Sequence, residues 1–165
     1  MQGQWLALPL AIALAAAHGC AGGTDQVQPG ASGETAHPSD MVLGMIEMHL
    51  AQLNRGIDGL DRQIAQLRRM PETTDPAVRE LRALDLAGWQ LHQQQWTFQR
   101  DHLRFALAQL QRAKANPGEK AQIMELWVKQ EQAYETAVDG FRQQRLVLER
   151  KRLQVEGELV RRHLQ

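Results

Sequence analysis

From Leu43 to Leu67 apolar residues recur with steady three-and-four spacing. Leu43, Leu50, Ile57 and Ile64 fall on every seventh residue, and Ile46, Leu53, Leu60 and Leu67 sit between them. This spacing draws two apolar rows along one edge of a helix and leaves the other face polar, so the helix must dock on others. Ser39 or Asp40 after Pro38 supplies its N-cap, and Pro71 after Met70 ends it. A second helix starts where Asp75 caps and Pro76 takes the tolerated first position, and it continues to about Ala115. Asn116-Pro117-Gly118-Glu119 repeats the device, with Glu119 spaced as in a capping box, and a third helix runs from about 117 to 164. Strand-type runs are absent from the sequence, so the expected fold is all-α: an elongated antiparallel three-helix bundle of coiled-coil character spanning 40–165.

Tight turns make the register testable from the sequence. A first turn centred near residue 73 sets Leu43 opposite Leu103, Leu50 opposite Trp96 and Ile57 opposite Trp89, with Gly56 and Gly59 making room for the Trp89 indole. A second turn centred near 116 sets Phe105 against Trp127, Phe98 against Tyr134, Leu91 against Phe141 and Leu84 against Leu148. The second helix then carries two apolar stripes, about 140–160° apart at 100° per residue, and is the central one. In the gap between the stripes lie Gly88, His92, Gln95, Gln99, His102 and Ala106, a polar row expected to be satisfied internally or by water. The first and third helices are expected to close on each other through Leu60 with Leu146 and Leu67 with Leu153. Toward the opposite end Ile46 and Leu53 meet Gln132 and Asp139, and the bundle is expected to be loose.

Composition narrows the function classes. The chain has 165 residues and one Cys, with Lys plus Arg and Asp plus Glu equal at 19 each. No net field draws it to nucleic acid, and none is expected as a partner. The third helix runs from acidic (Glu119, Glu125, Glu131, Glu135, Asp139) to basic (Arg142, Arg145, Arg150, Lys151, Arg152, Arg161, Arg162), which complements the helix dipole. No Ser follows residue 39, and HExxH, CxxC and Gly-rich phosphate loops are missing, so no catalytic residue is assigned and neither enzymatic activity nor a cofactor is expected.

Trp5 to Ala17 form an uncharged apolar run, short for a membrane span but suited to the core of a secretory signal covering 1–19. Ala17-His18-Gly19-Cys20 follows and resembles the lipobox of bacterial lipoproteins, departing from it at His18 and in the lack of Lys or Arg before the apolar run. The resemblance implies that Cys20 is lipidated, by an anchor of the palmitate type, and becomes the mature N-terminus. With Ala21 rather than Asp next, it also implies the outer membrane, facing the periplasm. Residues 20–39, rich in Gly, Ser, Thr, Pro and Gln, are expected to form a flexible tether, reaching at most about 65 Å.

Met41, Met45 and Met48 share one side of the first helix, away from its Leu/Ile edge. They are the expected docking site for a protein partner or a second copy, on the start of the first helix and the adjoining part of the third. With His37 and His49 nearby, Met41 and Met45 also offer soft ligands of the kind Cu(I) takes, the weaker alternative. His92 and His102, about 15 Å apart along the axis, cannot share one metal. In size and helical character the chain is also similar to small periplasmic helical chaperones and metal sensors, without their LTxxQ-type motif. The sequence therefore points to a membrane-tethered interaction protein of the bacterial envelope, of assembly, tethering or pilot type, or alternatively to a periplasmic metal-binding or stress-response helical protein.

Overall fold

The structure, a computed structural model, describes residues 38–163; the signal, Cys20, residues 20–37 of the tether and His37 lie outside the described residues, while Pro38 and Ser39, expected to end the tether and cap the helix, already belong to its first turn. Three helices pack against each other, with no strand among the described residues. They are α1 (Pro38–Arg69), α2 (Pro76–Ala115) and α3 (Lys120–His163), and a 3₁₀ turn, Pro117–Glu119, joins the last two. The described residues fall into two compact units, one ending at Met48 and the other starting at His49.

The first connection is built as its residues dictate. Asp75 has extended backbone and its Oδ1 accepts from the amides of Ala77 at 2.8 Å and Val78 at 3.4 Å, with Pro76 at the start of α2 where no amide is needed. Arg82 donates to the carbonyl of Pro71, tying the connecting segment to α2. At the second connection the capping box does not form. The Asn116 side chain makes no capping hydrogen bond, and its carbonyl instead accepts from the Glu119 amide at 3.0 Å. The Glu119 carboxylate turns back to Arg112, which donates from Nε at 2.7 Å. A guanidinium on the preceding helix outcompetes the backbone for that carboxylate, because a charge-assisted bond is the stronger one.

Ile57, Leu60 and Ile64 are buried along α1, Ala77, Leu91 and Ala106 along α2, and Ile123, Trp127 and Val155 along α3. Between Leu81 and Leu110 only five positions of α2 are exposed, so α2 is the central helix. The α1–α2 register differs from the one expected. Trp96, not Trp89, lies over Gly56, so close that a Cβ there would run into the indole, while at Gly59 nothing lies within 4 Å. Gln93 donates to Asp61, in step with the Gly56–Trp96 and Pro71–Arg82 contacts. The facing pairs add to 152–154, against about 146 for a turn centred at 73. That is a slip of one heptad. Leu43, Leu50 and Ile57 find apolar partners in both registers, so those layers are blind to the difference; Ile64 alone tells them apart, facing Arg82 in the expected register and Trp89 in the observed one.

Along α2–α3 the Phe98–Tyr134 layer is present, with rings stacked at 5.5 Å and 4°. Phe141 also packs on Phe98, at 5.8 Å, so Phe98 sits between two aromatic residues of α3. Leu91 and Leu148 line a shallow groove together, rimmed by Gln90, Gln94, Gln143 and Gln144. The expected closure of α1 on α3 through Leu146 and Leu153 is not built: these residues are 42% and 69% exposed, although Leu60 is buried. Leu67 is half-buried, and Gln132 and Asp139 are exposed.

Candidate functional site

Two features outside the ordinary core stand out, one at the surface and one inside. At the start of α1, Met41, Met45 and Met48 are 58%, 46% and 52% exposed. Spacings of four and three put them on one side of the helix. Ile46, on the other side, is buried. Three unbranched, polarizable side chains in a row give a soft apolar surface that reshapes to what it meets. His49 of the possible metal set is half-buried, and His37 lies outside the described residues. Among the described residues no three His, Cys, Asp or Glu gather as a metal site.

The interior feature is the polar row of α2, whose partners come largely from α3. His102 is buried beneath Tyr134, with ring centroids 4.0 Å apart and an interplanar angle of 21°. Its Nε2 lies 3.3 Å from Glu131 Oε2. His102 Nδ1 and Gln109 Oε1 are buried without a hydrogen-bond partner. Burial pushes the His102 pKa down, against the pull of the Glu131 charge. Burial pushes Tyr134 up, opposed by a hydrogen bond from Gln99 and assisted by Glu131. Farther along, Arg145 donates to Gln95 at 2.7 Å and Arg152 to Asp85 at 2.7 Å.

His92 belongs to the same row but reaches different neighbours. It stacks 6.4 Å from Trp89 and meets Trp96 edge-on at 4.8 Å. Its pKa is lowered by burial and then by the Arg145 charge. The structure therefore separates the two histidines, His102 on the α3 side and His92 among the tryptophans. The row is hydrogen-bonding chemistry set between helices. The sequence placed these residues in one row; the part of Glu131 was not legible, since it reads as one of several acids on a solvated face. No family model matches the chain, and no curated protein or solved structure matches it.

Proposed function

We propose that this is a membrane-tethered helical interaction protein of the bacterial cell envelope that acts by binding another protein through Met41, Met45 and Met48. The observation that supports the reading is the exposure of all three methionines on one side of α1, above 45% each. An apolar patch left in water is costly unless something covers it, and adaptable thioethers suit a contact that must fit a partner's shape. The rest of the reading comes from the sequence: Cys20 carries the lipid, residues 21–37 give reach, and α1 begins where the tether ends. The outer membrane, periplasmic side, is the proposed location. The partner is a protein of an assembly or tethering machine.

The test replaces Met41, Met45 and Met48 together by Gln in the full chain. Loss of the partner from pull-downs, with far-UV helicity unchanged, is the expected result, and retention of every wild-type association overturns the site. The anchor is checked separately with a fatty-acid probe. The wild type takes up label and fractionates with membranes, and Cys20→Ala does neither; an unlabelled wild type refutes the anchor.

A further inference from the structure

A second surface lies on α3, far from the methionine row in sequence and independent of it. Apolar Ile123, Trp127 and Val155 mark the buried side of α3. About 150° round the helix from that side, an arc of about 100° runs the length of α3. Its basic half carries Arg142, Leu146, Arg150, Leu153, Val160 and Arg161, all exposed and with no acid among them. Leu146, Leu153 and Val160 recur every seventh residue at 42%, 69% and 59% exposure. Its other half carries Glu125, Val128, Glu135 and Asp139, also exposed and with no base among them.

One arc divided into an acidic and a basic half is complementary to itself when reversed. An antiparallel pairing of two such helices, about a two-fold axis near residue 143, brings Glu135 level with Arg150 of the other copy and Glu125 level with Arg161. The same register sets Leu153 level with the stem of Gln132 and Leu146 level with Asp139. A two-fold contact repeats each match, so one favourable charge pair counts twice. The charges now have only weak local partners: Glu125 holds Lys129 at 2.8 Å and Asp139 holds Arg142 at 2.8 Å, exposed pairs of little worth that an interface can exchange.

We propose that two copies of the protein associate through antiparallel pairing of their α3 helices over this arc. The pairing sets polarity as well as partner, because parallel helices place acid beside acid and base beside base.

Sedimentation equilibrium on the purified full chain tests the pairing, with charge reversals that touch nothing buried. The wild type is expected to be dimeric at about 0.1 mM protein, and Glu135→Arg or Arg150→Glu alone to weaken the dimer about tenfold, since each reversal acts at both symmetric contacts. The double reversal restores opposite charges and is expected to return within about threefold of wild type. Far-UV helicity is followed in parallel, and if a reversal unfolds the chain, Glu135→Gln and Arg150→Gln replace it with about threefold weakening expected. A monomeric wild type, a dimer indifferent to the reversals, or a dimer lost only in the triple Met→Gln variant overturns the proposal. So does binding to vesicles of anionic phosphatidylglycerol that Arg150→Glu abolishes while no dimer is found, since the basic half then serves a lipid surface.

Discussion

The two seams that meet on α2 are held by different means. Against α1, the contact rests on absence: Gly56 has no side chain, and Trp96 fills the space a Cβ needs. Against α3, it rests on substance, with Phe98 flanked by Tyr134 and Phe141 and with His102 stacked beneath Tyr134 beside Glu131. The first is a close approach of backbone to ring and tolerates nothing added. The second is a run of large surfaces and tolerates nothing removed. Opposite substitutions therefore break opposite sides of the same helix.

The largest loss is expected from Phe98→Ala, which removes the ring that both Tyr134 and Phe141 pack on. Thermal or urea unfolding should report destabilisation of about 3 kcal/mol. A change below about 1 kcal/mol means the aromatic layers do not carry the α2–α3 seam.

The glycines sharpen the comparison from the other side. Alanine in a helix is ordinarily the better residue by about 0.5–1 kcal/mol, and Gly59→Ala, with open space at its Cβ, is expected to stabilise by about that much. Gly56→Ala puts a methyl into the indole and is expected to cost about 1–3 kcal/mol by overpacking. Equal effects at the two sites, three residues apart, refute the Gly56–Trp96 seat.

The smallest effect is a slope. Burial holds the His102 and His92 pKa values below the ordinary 6.5. Below about 6.5 the unfolded chain binds protons that the folded chain refuses, so stability falls as pH drops from 6.5 toward the lowered values and is full above. The groups facing His102 are Glu131 and Tyr134, and Glu131 moderates the loss. His102→Gln should flatten the stability profile between about pH 7 and 5, and His92→Gln should flatten it further. Wild-type profiles that already run flat there rule out neutral, buried histidines as the cause.

How much of this was legible follows from what periodicity encodes. Apolar residues at threes and fours assign faces, so α2 as the central helix, the stripe through Phe98 and the polar row at His92 and His102 were readable, as was the Asp75-Pro76 cap. Register was not read, because Leu43, Leu50 and Ile57 keep apolar partners after a slip; the one discriminating layer is Ile64, which faces Arg82 in one register and Trp89 in the other. What decides it is shape and pairing at particular spots: Trp96 over Gly56, Gln93 with Asp61, and Arg82 on Pro71. Closure of α1 on α3 misled for a related reason. Leu146 and Leu153 fall on a heptad row, but that row lies round the helix from the buried side of α3 and stays in water. The Met row was legible as exposed because it sits opposite the Leu/Ile edge, whereas the partner of His102 came from a helix whose acids all look alike in sequence.

The one-heptad ambiguity has a consequence in time as well as in space. Neighbouring helices joined by short turns meet early, since closing a short loop is quick and contacts local in sequence favour rapid folding. A hairpin of α1 and α2 caught one heptad short sets Trp89 where Trp96 belongs, with Leu43, Leu50 and Ile57 still on apolar partners, and it must unzip before it can correct itself. Gly56 is thus a keyhole read during folding. The native register is the one in which Trp96 enters it while Asp61 and Pro71 find their partners, and a hairpin in the shorter register forgoes all three contacts.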